Sequence, residues 1–148
     1  MNRNSGPGCG TLRIQSDHDE ARRARAWVRE RLAATGFAHD DSVECLLAFG
    51  EALSNVIRHA YHGRPGQPID IEVEAHVDLV HIVIRDRAPA GFVPPPPAPP
   101  EPEALAEGGH GLFLIRSLVD EVLYTRTAAG INEIHLMKHR GIDRRMAS

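Results

Sequence analysis

Leu46 to His62 reads LLAFGEALSNVIRHAYH, and the chain is organised around this stretch. Leu46, Leu47, Leu53, Val56, Ile57 and Ala60 recur at helical spacing, which predicts a helix with one apolar face against a core. Glu51, Asn55 and the pair Arg58 and His59 follow one another at steps that keep them on one stripe. That stripe combines a carboxylate, a carboxamide and a cationic or imidazole group. A carboxylate can take up a proton, and an asparagine oxygen is a hard ligand suited to Mg²⁺. The solvated edge of an ordinary amphipathic helix would look the same, so the flanking segments decide between the two readings.

On the N-terminal side, Asp40-Asp41-Ser42 with Glu44 reads as the capped start of this helix, and Thr35-Gly36 as the stop of an earlier one. That earlier helix should begin at Ser16-Asp17, carry Asp19 and Glu20 in its first turn, and run to about Ala34. Ala21, Ala24, Trp27, Val28 and Leu32 form its apolar stripe. Arg22, Arg23, Arg25, Arg29 and Arg31 load its other faces, either as solvated charge or as a docking patch for an acidic partner protein. Thr11 to Gln15 alternates weakly, as a short edge strand would. Residues 1–10 read as a disordered tail.

On the C-terminal side, the helix should end near His62-Gly63 and pass through a turn at Arg64-Pro65-Gly66-Gln67-Pro68. Ile69 to Ala75 alternates with one apolar and one acidic face, and Val80 to Ile84 alternates in turn. Residues 76–79 between them suit a hairpin. Two helices followed by an antiparallel hairpin predict an α+β sandwich with helices on one sheet face. Asp86 ends the second strand. It is either a turn former or a buried-end carboxylate able to accept a hydrogen bond from an exocyclic amine such as that of adenine. Val93 to Pro102 is proline-rich and extended, a stiff surface loop or lid rather than helix or sheet. Glu107-Gly108-Gly109-His110-Gly111 then opens into Leu112 to Val119. Glycines before a helix expose N–H groups at its positive end, where phosphate can sit. Asp120 to Arg126 and Ile131 to Met137 close the domain as two strands, followed by a basic tail over 140–148.

The whole chain has 148 residues, enough for one domain with a real core. A net charge of −3 and a pI near 6.3 give no global reason to expect nucleic acid or an anionic membrane as partner. No apolar run approaches the roughly 20 residues of a membrane span. The N-terminal segment lacks the apolar stretch of a signal peptide. Cys9 and Cys45 read as free thiols in a reducing cytoplasm. The nine histidines are scattered without the spacing of a zinc site.

In order along the chain come Glu-x-x-x-Asn on a helix, an aspartate after a strand, and Gly-x-Gly at a later helix start. This order resembles the nucleotide-binding boxes of the GHKL, or Bergerat-fold, ATPases. EALSNVIRHAY and GGHGLFLIRSLVDEV look most like the anti-sigma-factor serine kinases of bacterial partner-switching systems, over roughly Leu12 to Lys138. The resemblance implies a two-layer α/β sandwich with a mixed, mostly antiparallel sheet under three helices, in one ATPase domain over residues 11–139. It implies Glu51 as general base toward a serine hydroxyl, Asn55 as the Mg²⁺ ligand beside the ATP phosphates, and Asp86 as the acceptor of the adenine amine. Residues 88–108 would be the ATP lid, with Gly109, His110, Gly111 and Leu112 at the phosphates and Arg58 and His59 on the phosphate side. Two positions depart from the pattern. Ala88 stands where glycine is usual, and Asn132 where the last strand pair usually carries a threonine near adenine. Both bear on nucleotide affinity more than on reaction class.

A sensor histidine kinase would need a phosphoacceptor helix pair, and the topoisomerase and mismatch-repair types a further transducer domain. The resemblance therefore implies a cytoplasmic, homodimeric protein kinase that acts on an antagonist protein and sequesters a sigma factor. A regulator of the same fold that binds partners without phosphotransfer is the alternative. Glu51 separates the two, because a pure binder has no need of a base.

Overall fold

The structure, a computed structural model, describes residues 6–89 and 111–140, with the side chains of 111–113 outside that description. The chain runs β1 (Cys9–Gln15), α1 (His18–Ala33), α2 (His39–Asn55) with a π-helical extension (Val56–Ala60), β2 (Pro68–Ala75), β3 (Leu79–Asp86), α3 (Gly111–Leu118), β4 (Glu121–Arg126) and β5 (Asn132–His139). The strands form one sheet in the order β1-β2-β3-β5-β4. Every described pairing is antiparallel, so the sheet is wholly antiparallel among the described residues rather than mixed. The α+β sandwich expected from the sequence is the fold observed.

Alternation divides the sheet into two faces. Ile69, Ile71, Val73, Ala75, Val80, Ile82, Ile84, Ile134 and Leu136 point to the helices and are buried. They meet Ala24, Val28 and Leu32 of α1 and Cys45, Ala48, Phe49, Ala52 and Leu53 of α2. The acidic wet face expected for β2 is present and paired. Arg13 grips Asp70 with two bonds (2.7 and 3.0 Å), and Arg85 bridges Glu72 (2.8 Å) and Glu133 (2.6 Å). Cys45 is buried without a disulfide, and burial pushes its thiol pKa up to about 12.

Several local expectations are corrected. Leu47 is 54% exposed rather than part of the core. It lies four residues before Glu51 and so shares that polar stripe, while Cys45, Ala48 and Ala52 take the buried one. β1 begins two residues before Thr11, at Cys9. Asp17 holds the N-cap position of α1 as expected, its carbonyl accepting from the Ala21 amide (2.9 Å), but its side chain makes no capping bond and accepts instead from the Gly66 amide (3.2 Å). Ser16 Oγ donates to the Arg64 carbonyl (2.6 Å) and accepts from the Gln67 amide (2.9 Å). Both side chains thus serve a turn whose own backbone groups lack ladder partners. α2 starts at His39 with Ala38 at its cap, and Glu44 closes no capping box because it reaches Lys138 (2.7 Å).

Candidate functional site

Glu51 and Asn55 sit on the last turns of α2, one helical step apart and half-exposed. Neither side chain makes a hydrogen bond or ion pair among the described residues. Both therefore remain available as polar groups on a helix whose other face is fixed by the core. A free carboxylate and a free carboxamide oxygen suit a proton acceptor and a hard-cation ligand, so the donor set fits Mg²⁺. Directly after Asn55 the helix widens into a π-turn, where the Tyr61 amide bonds to the Val56 carbonyl (3.0 Å). Such turns occur mostly as single insertions and re-aim the residues they carry. The chain then leaves through His62 (φ 52°) and Gly63 (φ 74°).

Tyr61 explains why the turn is held there. The residue is 5% exposed, and its hydroxyl donates to the Pro68 carbonyl (2.7 Å) and accepts from the Arg87 amide (2.7 Å). Burial raises its pKa, keeping the phenol protonated as a donor. One side chain thus fastens the end of α2 to the start of β2 and the exit of β3. Arg58 and His59 on the same π-turn are exposed. Arg58 lines a hollow of about 450 Å³ with Asp17, His18 and Asp19 at the start of α1. Among the described residues nothing links Arg58 or His59 to Asp86.

Asp86 closes β3 on the helix-facing side and is 3% exposed. Its Oδ1 accepts from the Ala88 amide (2.9 Å) and from Asn132 Nδ2 (2.8 Å). Nothing among the described residues donates to Oδ2. The turn-forming reading is met, since Oδ1 accepts from the amide two residues on, while Oδ2 is left without a donor among the described residues. Asn132 faces Asp86 because β3 and β5 pair Asp86 with Asn132 in register. It is 7% exposed, and its Nδ2 also reaches the Ala88 carbonyl (3.1 Å). Ala88 itself is 1% exposed, its methyl group filling core space.

The structure therefore joins Asp86, Ala88 and Asn132 in one hydrogen-bonded cluster and sets Glu51 and Asn55 together on α2. Gly111 and Leu112 open α3, which packs along α2. Gly109, His110 and residues 90–108 of the expected lid lie outside the described residues. Sequence reasoning missed Arg126 and Tyr61. Arg126 Nη1 donates to Asn132 Oδ1 (2.6 Å), and Nη2 to the Pro89 carbonyl (2.9 Å). The hairpin signal at Ala128-Ala129-Gly130 could have found Arg126, because closing that turn sets it opposite Asn132.

This fold and site define a histidine kinase-like ATPase domain: residues 14–138 match that family, and the chain belongs to it. Among its relatives, the serine-protein kinase RsbW of Oceanobacillus iheyensis is 35% identical over 94 residues, covering 59% of this chain and 60% of that protein. The serine-protein kinase RsbW of Staphylococcus aureus is 29% identical over 119 residues, covering 75% of each. The chain thus spans somewhat over half of the first relative's length and three quarters of the second's. A crystal structure of the RsbU and RsbW domains of Rv1364c from Mycobacterium tuberculosis has the same fold. Its TM-score is 0.60 at 23% identity, over 87% of this chain and 32% of that one. No described helix is long and apolar enough to cross a membrane.

Proposed function

We propose that this chain is an ATP-dependent protein-serine kinase and anti-sigma factor of a bacterial partner-switching system. It would work in the cytoplasm on a separate antagonist protein and hold a sigma factor when that antagonist is phosphorylated. The observation that carries the reading is the buried Asp86 carboxylate, with Oδ1 committed to its own chain and Oδ2 left to accept. An acceptor at the buried end of a strand matches the exocyclic amine of adenine. The kinase name carried by relatives that align over most of the domain supports the same reading.

In the proposed reaction the antagonist's serine Oγ attacks the γ-phosphorus of ATP, the bond from that phosphorus to the bridging oxygen breaks, and ADP leaves. The serine proton passes to Glu51, whose unpaired, half-exposed carboxylate can receive it. Asn55, one turn on, would hold Mg²⁺, which when bound neutralises charge on the phosphates. Gly109, His110, Gly111 and Leu112 would contribute backbone donors to the phosphates at the start of α3. Arg58 and His59 would add cationic character on that side. Residues 88–108 would form the lid. Four exposed arginines of α1 (Arg22, Arg23, Arg25, Arg29) offer the docking patch for an acidic partner. Arg25 extends along α2, its Cδ within 3.5 Å of where a Gly50 Cβ would lie, next to Glu51. A homodimer through β1 and α1 belongs to the same reading, since β1 has one edge unpaired among the described residues.

The test uses tagged chain to capture its partner from extract of its own source, followed by ATP labelled in the γ-phosphate with Mg²⁺. The expected result is label on a serine of the captured protein with wild type, and none with Glu51→Ala although capture is unchanged. Capture with no label from either protein would overturn the kinase reading in favour of a binder without phosphotransfer.

A further inference from the structure

Arg126 lies outside every residue assigned above to nucleotide or catalysis, yet its guanidinium ends on three groups around Asp86. Nη1 donates to Asn132 Oδ1 (2.6 Å) and to the Ala88 carbonyl (3.3 Å), and Nη2 donates to the Pro89 carbonyl (2.9 Å). Arginine has only donors, whereas a carboxamide has one accepting and one donating end. The contact with Arg126 therefore settles which way Asn132 faces, because the reversed amide would set donor against donor. With Oδ1 held, Nδ2 must turn inward, where it meets two acceptors, Asp86 Oδ1 and the Ala88 carbonyl. Asp86 Oδ1 is then filled by two donors, and its one remaining direction of acceptance is Oδ2.

We infer that Arg126 is a positioning residue for base recognition: it orients the Asn132 carboxamide so that Asp86 presents one fixed acceptor oxygen to an exocyclic amine. The inference rests on the nucleotide reading of Asp86 and deepens it to the discrimination of the base. Adenine offers an amine where guanine offers a carbonyl, and a carbonyl facing a fixed carboxylate oxygen is two acceptors in opposition. The departure at 132 gives the arginine its purpose. A threonine hydroxyl rotates to suit its neighbours, but a carboxamide has two unlike ends and needs something to choose between them. The same guanidinium also holds the carbonyls of Ala88 and Pro89, so the chain leaving β3 is fixed by the group that fixes the acceptor.

The bland alternative is that Arg126 merely steadies the β4–β5 hairpin, and a double-mutant cycle separates the two. ATP and GTP affinities are measured by calorimetry, and thermal midpoints in parallel, for wild type, Arg126→Ala, Asn132→Thr and the double variant. Arg126→Ala is expected to weaken ATP binding roughly tenfold, as loss of a charge-assisted hydrogen bond would, and to narrow the ATP-over-GTP preference similarly. In the Asn132→Thr background the same substitution should change affinity by less than about threefold, because no amide remains to orient. Arg126→Lys, which keeps one donor for Asn132 Oδ1, should restore most of the preference and guards against a failure of the alanine variant to fold. An unchanged preference in Arg126→Ala, or an equal loss in both backgrounds, would overturn the inference while leaving ATP binding intact. Wild type that binds no ATP would overturn the nucleotide reading itself, and this inference with it.

Discussion

Strand β5 carries a buried polar side chain at each end of its helix-facing side, and the two ends are completed differently. At one end Lys138 is 2% exposed, its Nζ bonded to Glu44 (2.7 Å) and to the Leu118 carbonyl (2.8 Å), with Asp41 at 3.9 Å. At the other end Asn132 passes a hydrogen bond from Arg126 inward to Asp86, where the path stops at an oxygen to which nothing described donates. Ile134 and Leu136 separate the two ends as plain core. A buried polar group saturated by its own chain is architecture, tying α2, α3 and β5 together. A buried network that ends on an acceptor to which nothing described donates is where the proposed nucleotide amine would be received.

Substitutions at the two ends should therefore separate stability from binding. The largest effect is expected at the saturated end. Lys138→Ala should cost about 3 kcal/mol in urea unfolding, at the lower end of the range for breaking a buried pair because Glu44 is 39% exposed. Its ATP affinity, measured on the folded fraction, should stay near wild type. A variant that folds normally yet loses ATP would break the comparison. Next comes Asp86→Asn, which keeps an acceptor for Ala88 and Asn132 but replaces the carboxylate. ATP affinity should fall about 10- to 100-fold with little change in unfolding free energy. The smallest effect belongs to the opposite sheet face, where His81 Nε2 lies 3.0 Å from His135 Nδ1. Burial, and then the neighbouring His135, lower the His81 pKa below its ordinary 6.5, against weaker opposition from Glu74 and Glu72. Below that value the unfolded chain binds a proton that the folded one refuses. The stability contribution is thus complete above pH 6.5 and is lost as pH falls toward the depressed folded value. Replacing this group in His81→Gln should flatten the acid side of the stability-versus-pH curve. An unaltered slope would show that the pair does not set it.

The sheet was legible because alternation is a local property. The run I-D-I-E-V-E-A over 69–75 announces a buried and a wet face in seven letters, and both are found. The Glu51–Asn55 stripe was legible for the same reason, since helical spacing alone sets the two residues on one side. What could not be read were partners distant in the chain. Glu44 looked like the last member of a capping box, but its partner lies 94 residues away. In the sequence Arg126 is only the end of a strand, and the hairpin register alone brings it to Asn132 and so to Asp86. The π-turn after Asn55 leaves no mark in hydrophobic spacing, because it follows from how Tyr61 is fastened to Pro68 and Arg87. Leu47 departs from the expected apolar face because its place on the helix, four residues before Glu51, outweighs its apolar character.

The most direct test is a calorimetric titration of wild type and Asp86→Asn with ATP in the presence of Mg²⁺. Saturable binding by wild type, weakened at least about tenfold in a variant that unfolds at the wild-type midpoint, is the predicted result. Equal ATP affinity in the two proteins, or no binding by wild type at millimolar ATP, would contradict the assignment of the Asp86 end of β5 to a nucleotide.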